Sequence, residues 1–238
     1  MNVTFDMESA PEILYRVGRR PHVWEWRDWR TAFPDRTFHN RWDDPKGEYR
    51  VLYAASSRFG AYLEVLSWAR PDLELLADCS RIEDNDPTAP RTMPPGRLPP
   101  GWRNNLIIGK GVSDEVHDPL VVVGSSASLA AVRLVLAREA LQFGLKDIDA
   151  EVIRCGDRRF TQAVSRFIYE HAQSAPNSCA GISYLSRYGD DVWNCAIFEW
   201  DGKPFPVTHV WRRDIALEDS DFLAVFDSLN VDHLRVLR

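Results

Sequence analysis

The chain has 238 residues and a mass of 27.3 kDa, enough to bury a sizeable core in one large domain or two small ones. A content of 45% hydrophobic and 27% charged residues excludes a disordered or fibrous chain. With 29 basic against 35 acidic side chains, the net charge is −6, which argues against nucleic acid as a partner.

No apolar run approaches the roughly 18 residues of a membrane span, so no membrane association is expected. The opening residues lack a basic flank and an apolar stretch, which predicts no secretory signal and a cytoplasmic protein. Cys79, Cys155, Cys179 and Cys195 contain no Cys-x-x-Cys pair, and the six histidines show no His-x-x-x-His spacing. The cysteines read as small apolar side chains in a reducing compartment, and no metal site is expected.

Residues 12–17 read as a first strand with Arg16 inside it, and a Trp- and Arg-rich stretch follows at 22–42. Residues 49–54 are rich in β-formers and predict a second strand. Ser56 or Ser57 is placed to cap a helix over 58–69, ended by Pro71, with Phe59, Leu63 and Leu66 on one stripe. The proline-rich stretch 82–101 reads as an insertion within one domain, either a passive loop or a lid. Leu120 to Val123 predicts a buried strand. The run from Gly124 to Ser128 turns it into a helix carrying Leu129, Val132, Leu136, Ala140 and Phe143, closed by Gly144. A strand over 149–154 and a helix over 161–172, with Val164, Phe167, Ile168 and His171 inward, come next. Strands at 182–184 and 194–200 follow, and the tail holds Phe222, Val225, Phe226 and Leu229 on a short helix.

Glu64 is the first candidate for chemistry. It sits on a helix that is apolar nearly all round, and such a helix is buried. A buried carboxylate needs a partner: an arginine in a structural salt bridge, or a ligand. The loop from Gly124 to Ser128 lacks the Gly-Lys-Ser/Thr of a P-loop and reads as a turn with a serine cap. Neither Gly-x-Gly-x-x-Gly nor Gly-x-Ser-x-Gly is present. Arg16, Arg41, Arg50, Arg58 and Arg187 lie beside apolar or aromatic residues. Together they suggest a grip on an anionic small molecule.

Two stretches carry a family resemblance. The first runs Arg41-Trp42-Asp43-Asp44-Pro45-Lys46-Gly47-Glu48-Tyr49-Arg50-Val51-Leu52-Tyr53-Ala54-Ala55 and continues with Ala61-Tyr62-Leu63-Glu64-Val65. The second is Arg159-Phe160-Thr161-Gln162-Ala163, then Gly181-Ile182-Ser183-Tyr184-Leu185-Ser186-Arg187 and Asn194-Cys195-Ala196-Ile197-Phe198. With Tyr15-Arg16 near the start, this ordered set resembles the RES-domain proteins, named for arginine, glutamate and serine. Asp43 stands where the family's run has asparagine.

The resemblance implies an α+β fold like that of the ADP-ribosyltransferases, two small antiparallel sheets forming a cleft with flanking helices. It implies one domain over 1–238, with a core at about 12–200, the 82–101 insertion and a C-terminal extension at 201–238. It also implies action on NAD+ as substrate, not as a bound cofactor. The nicotinamide–ribose bond would be cleaved by phosphorolysis, with inorganic phosphate as co-substrate, or by hydrolysis. The protein would be a toxin with a cognate antitoxin; homo-oligomerisation stays open. By the same resemblance Glu64, Ser186, Arg41 and Tyr53 form the catalytic set. Arg16, Arg41, Tyr53 and Arg187 hold the dinucleotide. Ser186 is expected on one strand face with Ile182 and Tyr184, in reach of Glu64 or of nicotinamide, the plainer role being a cap on the turn that follows. An ADP-ribosyltransferase with a macromolecular acceptor and an inactive binding module are the alternatives.

Overall fold

The computed structural model describes residues 3–81, 98, 101–113, 119–174, 179–201 and 206–229. Its first half runs β1 (Met7–Glu8), β2 (Ile13–Arg19), β3 (Val51–Ala55), α1 (Arg58–Leu66), α2 (Leu73–Arg81), β4 (Leu106–Ser113) and β5 (Leu120–Val122). Four helices follow, α3 (Ser126–Val135), α4 (Ala137–Gln142), α5 (Ala150–Cys155) and α6 (Arg158–Ser174). Then come β6 (Gly181–Ser186), β7 (Gly189–Phe198), β8 (Val207–Asp214) and α7 (Ser220–Leu229). The 82–101 insertion falls almost wholly outside the described residues.

The strands join in the order β1-β5-β6-β7-β3-β2-β4-β8. Every pairing is antiparallel except β5 with β6, whose parallel return requires the crossover that α3 to α6 provide. The class is therefore mixed α+β, with one continuous sheet in place of two small ones. That sheet has a seam: β2 and β3 share a single residue pair, Tyr15 with Ala55.

The two sheet faces bury against different material, as strand alternation requires. Val51, Ala196 and Phe198 pack with Phe160, Val164 and Ile168 of α6. On the other face Leu52, Ala54, Cys195 and Ile197 pack with Val23 and Trp24. The Trp-rich stretch is thus a cover for the sheet. That cover explains two glycines in β4. A Cβ at Gly109 would come 2.3 Å from Val23 Cγ1, and one at Gly111 would come 3.0 Å from the Trp24 ring, so only glycine fits beneath these side chains.

Ser57 is the cap of α1, its hydroxyl accepting the Gly60 N–H at 3.0 Å, and the helix passes into a 3₁₀ turn over Ser67–Ala69. Tyr62, Leu63 and Leu66 share one core with Phe222, Val225, Phe226 and Leu229 of α7. Asp219, just before α7, accepts from Arg58 (3.1 Å) and Tyr62 (3.4 Å) of α1 and from Arg213 (3.2 Å). The tail therefore clamps the helix that carries Glu64.

Two expected elements differ. Residues 149–154 form helix α5, not a strand: Asp149 caps it by accepting the Val152 N–H at 2.9 Å, and six residues are too few for periodicity to decide. The single helix expected after Ser128 breaks at Leu136 into α3 and α4. Cys179 and Cys195 are buried, and neither is in a disulfide. Among the described residues no helix is long and apolar enough to cross a membrane.

Candidate active site

Glu64 is not in a salt bridge among the described residues. Its Oε1 accepts the Ser186 hydroxyl at 2.7 Å and the Asn194 side-chain N–H at 3.1 Å. Ser186 and Asn194 are each 1% exposed, on neighbouring strands β6 and β7. No protein donor reaches Oε2 among the described residues, so that oxygen keeps its lone pairs for a ligand. Burial raises the Glu64 pKa above the usual carboxylate value; Ser186, the charge of Arg41, Asn194 and the charge of Arg187 oppose the rise.

Both roles weighed for Ser186 are filled at once. Its hydroxyl donates to Glu64 and accepts the Tyr188 N–H at 3.2 Å, closing the turn after β6. The β6–β7 register shifts between Leu185 and Ser186. Simple alternation therefore does not carry through to Ser186, and Ser183, Tyr184 and Leu185 all line the same cleft.

That cleft has a volume of about 710 Å³ and draws lining from both sides of the seam, Tyr15 and Arg16 of β2 facing Tyr53 and Ala55 of β3. Glu64, Arg41, Arg187, Tyr184 and Asn194 line it as well, and its size suits a small-molecule site. Arg41 Nη1 donates to the Ile153 carbonyl of α5 at 2.9 Å. Its own carbonyl accepts from Thr161 Oγ1 at 2.8 Å, and the Trp42 carbonyl accepts from Ser165 Oγ at 2.7 Å. Helix α6 thus fixes the loop bearing Arg41. Arg16 donates from Nε to the Val23 carbonyl (2.9 Å) and from Nη1 to the Tyr53 carbonyl (2.7 Å). Burial lowers its pKa to about 10. The Tyr53 hydroxyl donates to Asp43 Oδ1 at 2.9 Å and accepts the Trp42 N–H at 3.0 Å. Asp43 Oδ2 takes the Asn40 N–H at 2.7 Å, so the aspartate found in place of asparagine is a buried acceptor that holds the Tyr53 ring.

Residues 13–217 match the RES domain. The chain belongs to the RES-domain family. The matched span runs past residue 200, where the resemblance in the sequence ends, and takes in β8. A search of curated proteins returned no match. Among solved structures, this RES domain is similar to a chain in the crystal structure of the M. tuberculosis MbcT–MbcA toxin–antitoxin complex. The identity is 12% and the TM-score 0.52, over 94% of this chain and 92% of that one; the likeness is one of fold.

Within the RES domain, Arg16, Arg41, Tyr53, Glu64 and Arg187 line one cleft, and the buried Ser186 reaches it through its hydrogen bond to Glu64. Two other arginines do not join them. Arg50 forms a two-pronged pair with Glu199, and Arg58 pairs with Asp219 and Asp221. Both stitch the chain to itself, which is why an arginine beside apolar residues is a weak ligand signal. Asn194 and Tyr184 were not among the candidates. The signal for Asn194 was a lone amide in an apolar strand, since a buried amide must find a hydrogen-bond partner. At the other end, Ser125 accepts the Ser128 N–H at 3.2 Å as the cap of α3, and Gly124 and Ser125 line the cleft wall. Among the described residues no group of His, Cys, Asp and Glu could hold a metal ion.

Proposed function

We propose that this RES domain cleaves NAD+ at the nicotinamide–ribose bond, in an ADP-ribosyltransferase-like cleft, as the toxin of a toxin–antitoxin pair. The observation that carries the reading is Glu64, held by Ser186 and Asn194, in a cleft that Arg16 and Arg41 also line. The likeness in fold to a chain from a toxin–antitoxin complex supports the pairing with an antitoxin.

The chemistry needs little proton transfer. Nicotinamide departs with the electron pair of the C1′–N bond, so a cationic pyridinium becomes a neutral product and no general acid is required. The positive charge moves to the ribose, as in glycoside cleavage. Glu64 is a fixed carboxylate, held through Oε1 with Oε2 open, and it lowers the energy of that cation. Arg16 and Arg41 take the pyrophosphate and so place C1′. An oxygen of hydrogen phosphate, or of water, then bonds to C1′. The products are ADP-ribose phosphorylated on C1′, or ADP-ribose and a released proton. The test is incubation with NAD+ in phosphate-free and phosphate-containing buffer, followed by mass analysis. Nicotinamide release in at least one buffer is expected, and its absence from both removes the reading. ADP-ribose attached to a macromolecule would instead make the protein an ADP-ribosyltransferase.

Ser186→Ala is expected to lower kcat by about tenfold, the effect of one lost hydrogen bond to a charged group. Ser186 opposes the upward shift of the Glu64 pKa. Its loss therefore raises that pKa further and moves the acid limb of the pH–rate profile to higher pH. A serine that only closes the turn before Tyr188 would lower Tm and leave the acid limb in place; that result would remove Ser186 from the site.

A further inference from the structure

The chain holds nine tryptophans, all among the described residues, and only Trp68 is exposed, at 60%. It lies in the 3₁₀ turn that continues α1, four residues beyond Glu64, and lines the cleft. Exposure together with a place in the lining puts the indole at the rim. No ring or hydrogen-bond partner engages it among the described residues. Such an indole offers a large, stiff, flat surface with nothing on it.

The same lining holds a second feature. Tyr188 lines the cleft, and the guanidinium carbons of Arg70 and Arg187 lie 5.7 Å and 5.4 Å from its ring centroid. Both arginines are exposed, and neither has a carboxylate within ion-pair reach among the described residues. The cleft lining therefore combines an open aromatic face, Trp68, with the guanidinium of Arg187, whose charge also reaches Glu64, and Arg70 follows Trp68 by two residues.

We infer that Trp68, together with the Arg70 and Arg187 guanidiniums on Tyr188, forms a subsite for the adenosine–phosphate half of the dinucleotide. The inference rests on the reading of the cleft as an NAD+ site. Charge decides which end of the substrate sits there. The nicotinamide end carries a cationic ring, which two unpaired guanidiniums repel. The anionic pyrophosphate that the same two groups attract is joined to both nucleosides, so the ends differ in the ring alone, and adenine is the neutral flat one. An indole held against the pyridinium would also stabilise the positive charge where it starts, by a cation–π contact. That contact would oppose the movement of charge to the ribose on which the reaction depends. With adenine on Trp68, the indole adds affinity without touching the bond that breaks.

The experiment is calorimetric titration of wild type, Trp68→Ala and Trp68→Phe with ADP and, separately, with nicotinamide mononucleotide. Because the side chain is exposed, the substitutions leave the core intact. Trp68→Ala is expected to weaken ADP by about tenfold, in line with the loss of one base-stacking partner. Trp68→Phe should recover most of that loss, and nicotinamide mononucleotide should change less than about twofold. Unchanged ADP binding in Trp68→Ala overturns the inference, as does an equal loss for both ligands. If wild type releases nicotinamide from NAD+ yet binds ADP no better than Trp68→Ala, the subsite alone is wrong. If wild type neither cleaves NAD+ nor binds either ligand, the NAD+ reading itself falls and the subsite falls with it.

Discussion

Glu64→Gln is expected to reduce nicotinamide release by about 10²- to 10³-fold, the scale on which one preorganised charge-stabilising group acts. Glutamine keeps the shape and can still accept from Ser186 and Asn194 through its amide oxygen, so what it removes is the charge. The effect on stability should run the other way. Burial raises the Glu64 pKa, so the folded protein favours the protonated form. The stability contributed by a raised carboxylate pKa is present at low pH and is lost as pH rises through the folded value. At neutral pH the ionised side chain therefore opposes folding, and Glu64→Gln should have a Tm equal to or above that of wild type. A structural glutamate predicts the reverse pair of results, retained turnover with a lowered Tm. Retained turnover in the variant would end the assignment.

Arg41→Lys is expected to lower kcat/KM for NAD+ by about 10- to 100-fold, chiefly through KM, the size of a lost hydrogen bond or two to a charged group. A guanidinium offers a planar fork of donors, and an ammonium offers a point charge. One prong of Arg41 is anchored on the Ile153 carbonyl at 2.9 Å, a contact that orients the rest of the fork. Lysine retains the positive charge that acts on Glu64, so the acid limb of the pH–rate profile should stay close to that of wild type. That separates it from Ser186→Ala, which moves the limb. Unchanged KM in Arg41→Lys would mean that the residue serves only to hold the loop.

The site was more legible in the sequence than the frame around it. Glu64 stood out because a carboxylate on an all-apolar helix has to be accounted for, and the ordered motifs put Ser186 and Arg41 beside it. The structure brings Glu64 and Arg41 into one cleft and hydrogen-bonds Ser186 to Glu64. What stayed hidden depends on partners far along the chain. Strand β4 carries glycines at 109 and 111, which weaken any strand signal. They are needed because Val23 and Trp24, more than 80 positions earlier, lie across them. Strand β8 sits at the sheet edge with one buried residue, Val207, while Val210 is exposed and Trp211 only half-buried, so it offers no apolar alternation to read. Arg50 and Arg58 resembled ligand arginines because the acids that engage them, Glu199 and Asp219, are 149 and 161 positions away.

The contacts at Glu64 also fix when the protein can become active during its own synthesis. Its hydroxyl partner lies 122 positions downstream and its amide partner 130, on two strands that complete the middle of the sheet. A ribosome delivers the chain from the N-terminus, so Arg16, Arg41, Tyr53 and Glu64 emerge long before Ser186 and Asn194 exist. Until β6 and β7 have left the tunnel and paired with β5 and β3, the carboxylate has neither donor. The clamp from α7 on its helix comes later still. On the proposed function, a nascent chain, or one truncated before residue 181, is expected to be inert towards NAD+ because Glu64 has neither donor. For an enzyme of the proposed kind, the interval in which an antitoxin must be at hand opens only once β6 and β7 have been made and paired.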